Sequence, residues 1–331
     1  MIATLLLACA GRPFLDVGPC QETFDGPAIA ECELPGWEDR AYDLVLPDGY
    51  DGVTPIPLLL ALHGGGGNKQ AAARTTCAEG EVDDPSCLHR HAQKNGYAVV
   101  FPNGTGFGLT PEVRTWNAGG GTGGWRCVSG KACEEGIDDV AYIEDLLDDV
   151  QARVAVDPGR VYATGLSNGG AMSHRLACEL SDRITAVAPV GGANQLAAAG
   201  ECAPTRPVPV LHMHGTADPC WQYEEGPPDC PVGGGDEPHV GVEQTLAQWA
   251  QVLGCDGGTT EEALPDTAQD GTSTTRIAWS GCQAPLQHLR IEGGGHAWPD
   301  GYPYLRERVI GPVPRDWGNE VIWDFLSAQE M

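Results

Sequence analysis

Residues Val161 to Leu180 read VYATGLSNGGAMSHRLACEL, a strand-like run that gives way to a helix-spaced apolar run across one small polar residue. Ser167 stands at that change, with Gly165, Gly169 and Gly170 around it. A strand that becomes a helix within so few residues brings two backbones too close for side chains two positions either side of the corner. Glycine at both positions is what such a turn demands. The corner residue is pushed out above the strand ends, near a helix N-terminus whose unpaired N–H groups favour negative charge. G-x-S-x-G in this setting is the geometry of an exposed serine nucleophile. A chain built around it needs a buried strand before the corner and a packed helix after it.

The rest of the chain supplies that frame. IPLLLALHGGGGN, YAVVFPNG, ITAVAPVGGA and VPVLHMHGTADP each carry a continuous apolar run, as expected of strands covered on both faces of a parallel sheet. Helical patterns alternate with them. CLHRHAQKNG stops at Gly96, and EQTLAQWAQVLG and NEVIWDFLSAQ follow later. In GIDDVAYIEDLLDDVQARVAVDPGRV, Val140, Ile143, Leu147, Val150 and Val154 share one helix face, with Asp138 placed to cap it. RAYDLVLP alternates like an edge strand, and TTRIAWSGC and LQHLRIEGGGHAWP add two more strands. The alternation predicts an α/β fold with a mostly parallel central sheet and helices on both faces. No internal repeat or linker divides residues 36–331, so one domain is expected there, with EEGPPDCPVGGGDEP as an insertion.

Charge and cysteines set the surroundings. A net charge of −27 excludes nucleic acid and anionic membrane surfaces as partners. Thirteen cysteines without tight C-x-x-C pairs argue for disulfides rather than zinc. The opening MIATLLLACAG resembles a lipoprotein signal over residues 1–9 ending at Cys9, too short to span a bilayer, so membrane attachment is expected only through a lipid anchor there. Residues 10–35, rich in Gly, Pro and acids, read as a tether. The remaining twelve cysteines fit an exported, disulfide-bonded protein, secreted or held at the cell envelope. Pairing of sequence neighbours gives Cys20–Cys32, Cys77–Cys87, Cys127–Cys133, Cys178–Cys202, Cys220–Cys230 and Cys255–Cys282.

A serine hydroxyl needs a base, and the fold that carries this elbow supplies an acid and then a histidine, each past a strand end. VPVLHMHGTADPCW offers Asp218, and LQHLRIEGGGHAWP offers His296 in a glycine-flanked loop. Ser167, Asp218 and His296 are therefore the expected triad. An oxyanion would be met by the backbone N–H of Gly65 or Gly66 in HGGGGN and by that of Asn168. The glycine run lacks the spacing of a phosphate-binding P-loop. His212 and His214 point the same way on one strand but have no third ligand at metal spacing, so they read as a packed or hydrogen-bonded pair. His63 reads as an orienting residue for the glycine loop, and His89, His91, His174, His239 and His288 have no constellation around them. Trp116, Trp221, Tyr223 and Trp298 fall close to these loops in sequence, and are the expected substrate-contacting aromatics.

The segments LLLALHGGGGN, GYAVVFPNGTG, WNAGG, IDDVAYIEDLLDDV, VDPGRVYATGLSNGGAMSHRLACEL, AVAPVGG, VLHMHGTADP and GGGHAWP together resemble the secreted esterases grouped with feruloyl esterases, acetylxylan esterases and polyhydroxybutyrate depolymerase-like proteins. The resemblance covers roughly residues 36–328. It implies an α/β-hydrolase fold with no metal or organic cofactor and with Ser167, Asp218 and His296 as triad. After WNAGG the chain departs from the family with GTGGWRC, and the Cys77–Cys87 and Cys220–Cys230 segments look like additions at the rim. The expected partner is an ester, polysaccharide-linked or a polyester fragment. Plant cell-wall phenolic esters lead, ahead of hydroxyalkanoate oligomers and acetylated xylan. An envelope binding protein without catalysis is the reading from a different class, and a complete triad speaks against it.

Overall fold

A computed structural model describes residues 20–22, 29–107, 110–120, 127, 131–198, 201–224 and 240–331. The strands in chain order are β1 (Cys20–Glu22), β2 (Ile29–Cys32), β3 (Tyr42–Val45), β4 (Ile56–Leu62), β5 (Ala98–Pro102), β6 (Thr105–Phe107) and β7 (Thr110–Thr115). They continue with β8 (Val156–Leu166), β9 (Ala186–Val190), β10 (Val210–Gly215), β11 (Thr259–Ala263), β12 (Ser273–Trp279) and β13 (Leu286–Glu292). Eleven of them form one sheet in the order β1-β2-β3-β5-β4-β8-β9-β10-β13-β12-β11, and β6 and β7 make a separate hairpin.

The centre, from β5 through β4, β8, β9 and β10 to β13, is parallel. Antiparallel pairs form both margins. The continuous apolar runs are the central strands, and β4 is buried along its whole length. Its side chains alternate between two cores: Leu58, Leu60 and Leu62 face one, Leu59 and Ala61 the other. Fully burying each such leucine is worth about 1.5–3 kcal/mol. Helices Asp139–Arg153, Asn168–Glu179 and Val242–Val252 close the first core. Helices Leu88–Asn95 and Asn319–Ser327 close the second. The Asp138 cap is present, its side chain accepting from Ala141 N–H at 3.0 Å.

Two expectations at the N-terminal side are corrected. RAYDLVLP does not give an edge strand, because β3 is paired on both sides, to β2 and to β5. The stretch read as a tether over 10–35 contributes β1 and β2, and Cys20 and Cys32, opposite each other in register, are disulfide-bonded. Cross-strand pairing and the covalent link together supply the order that composition alone did not indicate. Cys77–Cys87, Cys127–Cys133, Cys178–Cys202 and Cys255–Cys282 are also joined. Cys9 and Cys230, and with them the lipid anchor and the Cys220–Cys230 pairing, lie outside the described residues. Among the described residues no helix is long and apolar enough to cross a membrane.

Parallel pairing sends the C-terminal ends of β4, β8, β9, β10 and β13 to one edge of the sheet. The glycine loop follows β4, Ser167 follows β8, Asp218 follows β10 and His296 follows β13. Residues far apart in sequence thus emerge side by side, as ligand and catalytic groups do in open α/β sheets.

Candidate active site

Ser167 has φ 59° and ψ −122°, a backbone conformation that a residue with a side chain occupies only when its surroundings force it. The forcing contacts are visible. A Cβ on Gly165 would lie 2.7 Å from Gly169 C and from Leu62 O, and one on Gly169 would lie 2.6 Å from His63 O. Ser167 N–H donates to Val190 O at 2.8 Å, and Ala171 N–H closes the first helical turn on Ser167 O at 2.9 Å. The corner is therefore held by β4 on one side and by β9 on the other.

Asp218 and His296 meet past the ends of β10 and β13. His296 Nδ1 donates to Asp218 Oδ2 at 2.6 Å, which leaves Nε2 with its lone pair free to take a proton. The His296 main chain is pinned by donation to Ile310 O at 2.5 Å, and its flanking Gly295 has no space for a side chain against Gly311. The other oxygen of Asp218, Oδ1, accepts from Cys220 N–H and Trp221 N–H, each at 2.8 Å. Burial would raise the Asp218 pKa. The His296 charge beside it, with the hydrogen bonds from His214 and His296, outweighs burial and holds the carboxyl far below the usual carboxylate range. The His296 ring lies against Gly191, where a Cβ would approach Nδ1 to 3.4 Å. Ser167 and His296 thus flank the same Val190–Gly191 turn. Among the described residues the His296 ring bonds Asp218 and not Ser167 Oγ; in free enzymes such bonds are commonly long and tighten around substrate.

The glycine loop abuts the serine, since a Cβ on Gly64 would lie 3.4 Å from Ser167 Cβ. Its donors divide differently from the sequence expectation. Gly66 N–H is consumed by Arg114 O at 2.8 Å, because the loop pairs with the end of β7, so Gly66 is not an oxyanion donor. Among the described residues Gly65 N–H has no such partner, and Asn168 N–H, in the first turn of its helix, has none within the helix. His63 orients this loop: Nδ1 donates to Gly64 O at 2.8 Å and Nε2 accepts from Gly104 N–H at 2.9 Å. Burial, with Arg40 and Arg114 nearby, lowers its pKa to about 3. The side chain of Asn168 has a role not legible beforehand. Its amide clamps the Trp116 backbone through bonds of 2.7 and 3.0 Å, fixing the β7 loop to the elbow helix.

The expected substrate-contacting aromatics are structural. Trp116, Trp221 and Trp298 are 0, 2 and 3% exposed, and sit in the two cores. Their indole N–H groups are satisfied by His63 O, Val240 O and Asn319 Oδ1. Tyr223 is half-buried, and its hydroxyl bonds His288 Nε2 at 2.8 Å. These rings wall the core because their polar edges find protein partners, which sequence proximity to the loops does not report. Tyr304, absent from the sequence expectation, is 38% exposed and stands edge-on to the His296 ring at 6.3 Å. Its segment, GYPYLRER, has no periodicity or motif that marks it.

His174 and His288 do have a constellation. His174 Nε2 meets His212 Nδ1 at 3.2 Å, Trp249 Nε1 donates to His174 Nδ1, and His288 Nδ1 donates to His212 O at 2.9 Å. The rings of His212 and His214 stack at 5.4 Å, as their placement on one strand face anticipates. Burial lowers His174 and His288 to about 3 and His212 well below its ordinary value. These are neutral core rings. Among the described residues the close grouping of metal-ligand type is Cys77, Cys87 and His89, whose two sulfurs are tied to each other in a disulfide.

No family model matches the chain. NocK of Nocardia uniformis subsp. tsuyamanensis, which carries an esterase assignment, is 33% identical over 309 residues, covering 87% of this chain and 79% of that protein. Feruloyl esterase B of Piromyces equi is 29% identical over 260 residues, 77% of this chain, which spans 42% of that longer protein. The solved acetyl xylan esterase from Aspergillus awamori superposes with a TM-score of 0.50 at 17% identity, over 78% of this chain and 89% of that one, a likeness of fold. The chain belongs to the α/β-hydrolase esterase family that includes the feruloyl and acetylxylan esterases, and is a carboxylic-ester hydrolase.

Proposed function

We propose that this protein is an exported serine esterase of feruloyl type that cleaves plant cell-wall phenolic esters through Ser167, His296 and Asp218. The observation that carries this reading is the 2.6 Å bond from His296 to Asp218 beside a serine in the strained elbow conformation. Ser167 Oγ attacks the ester carbonyl while His296 Nε2 takes its proton. Asp218 holds the ring in the tautomer that leaves Nε2 bare and stabilises the imidazolium that forms. The N–H groups of Gly65 and Asn168 receive the oxyanion, and loss of one such donor costs about 2.7–4 kcal/mol of barrier. His296 then protonates the departing alcohol, and water repeats the cycle on the acyl-enzyme. The feruloyl assignment draws on relatives that carry that name, and the five disulfides among the described residues support export.

Deacetylation of xylan is the second reading. The burial of Trp116, Trp221 and Trp298 favours it, because a small acyl group needs no aromatic platform. Release of ferulate, acetate and 3-hydroxybutyrate from matched esters separates the substrates, alongside p-nitrophenyl acetate turnover by wild type and Ser167→Ala. Ferulate released fastest, with turnover by Ser167→Ala at least about a thousandfold lower, is expected. Equal rates for the two proteins eliminate the serine mechanism, and faster acetate or 3-hydroxybutyrate release replaces the feruloyl assignment.

A further inference from the structure

The geometry assigns a second histidine to the acid of the proposed triad: His214 is a positioning residue that shares Asp218 with His296. This inference rests on the triad reading and adds to it a fourth side chain. His214 Nε2 lies 2.7 Å from Trp221 O and 3.3 Å from Asp218 Oδ2, the same carboxylate oxygen that His296 uses. A carbonyl oxygen only accepts, so the proton sits on Nε2 and is donated to Trp221 O, with Asp218 Oδ2 3.3 Å from the same N–H as an electrostatic neighbour. The opposite nitrogen, Nδ1, is buried without a partner, so a flipped ring would lose this bond and gain none in its place. The tautomer and the orientation are therefore both fixed.

The placement follows from the strand. His214 is the penultimate residue of β10, whose end launches the turn through Asp218 to Trp221. One ring thus ties the strand end to the far side of the Asp218 turn. Asp218 accepts N–H groups from His296, Cys220 and Trp221, and the His214 N–H stands 3.3 Å from it as a fourth positive neighbour. Other titratable groups around the pair are Tyr304, which faces Asp218, and Tyr223 and His212, which face the His214 ring. His174 and His288 pack against His212, and Arg290 lies near His288 and Tyr223. Of the buried histidine group, His214 lies against the acid of the proposed triad, its N–H 3.3 Å from the oxygen that stabilises the His296 imidazolium.

Two substitutions test this. His214→Gln keeps an N–H donor near the Nε2 position, whereas His214→Asn withdraws it beyond reach of Trp221 O and Asp218. The readouts are kcat and KM separately, and the pH at which kcat/KM falls on the acid side. For His214→Asn, kcat falls about tenfold, the loss expected when the tie from the β10 end to the Asp218 turn is broken and the acid–histidine pair is misplaced, with KM within about twofold. The acid-side midpoint moves to higher pH, because an Asp218 relieved of one positive neighbour holds the protonated His296 more tightly. His214→Gln restores both readouts toward wild type. If His214→Asn does not fold, His214→Phe, which keeps the volume and removes the donor, takes its place with the same expectation. A donor-less variant with the wild-type profile overturns the inference while Ser167→Ala inactivity leaves the triad standing. Equal shifts in the Asn and Gln variants also overturn it, since the donor would then not be the cause. A fully active Ser167→Ala instead removes the reading underneath.

Discussion

The two halves of the site are held by different physics. The elbow half, Ser167 with the glycine loop, is fixed by exclusion: backbones so close that Gly165 and Gly169 have no room for a methyl group. The acid–histidine half, Asp218 with His296, is fixed by attraction, with two backbone N–H groups, two imidazoles and a group of neutral buried histidines behind them. Exclusion is insensitive to pH and salt and intolerant of volume. Attraction tolerates small changes of shape but depends on which groups carry protons.

Acid separates the halves most strongly. His174 and His288, behind Asp218, and His63, behind the glycine loop, have folded-state pKa values of about 3 against an ordinary 6.5, and burial is the cause in each. Between those values the unfolded chain binds protons that the folded chain does not, so stability rises with pH across this window and is lost as pH falls from 6.5 toward 3. Each ring contributes a slope of about 1.4 kcal/mol per pH unit. His212, which burial also holds well below its ordinary value, adds a fourth ring, so chemical denaturation at successive pH values should show uptake of at least about four protons on unfolding near pH 5. Removing His63 should reduce the uptake by one and leave the buried group of His174, His212 and His288 responsible for about three more. A flat profile would mean that these rings are protonated or solvated in the folded protein.

Volume is the next lever and acts on the other half. Gly169→Ala puts a methyl group against the main chain of Leu62 and His63. Overpacking of this kind costs about 1–3 kcal/mol, and more where only backbone can move. A fall in the denaturation midpoint, with loss of activity in whatever remains folded, is expected. The same melting temperature and activity as wild type would show that the corner has slack and that sterics do not hold Ser167.

The elbow was readable from sequence because its cause is local. Two glycines, a serine and a change of periodicity fall within a few residues, and the structure places the forced conformation at Ser167. The juxtaposition of Asp218 and His296 was readable because parallel strands must end at one edge. What depends on sheet register was not. His212 pairs with His288 across β10 and β13, and no spacing along the chain announces that a helix will bring His174 onto the same spot. Gly66 was misread for a similar reason, since its N–H is taken by Arg114, 48 positions away, through a bridge between the glycine loop and β7. Aromatic burial was also hidden, because it turns on carbonyl partners such as Val240 O for Trp221 that sequence does not reveal. Composition alone gave no sign that residues in the supposed tether would join the sheet beside β3.

Both halves serve one claim, that Ser167 is a nucleophile activated by the His296–Asp218 pair. Reaction with an organic fluorophosphonate, read by intact mass and by peptide mapping, tests it directly. The account predicts one adduct per chain on Ser167, loss of activity in step with labelling, and strongly slowed labelling in His296→Ala. Labelling at another residue, or unchanged labelling without His296, would contradict it.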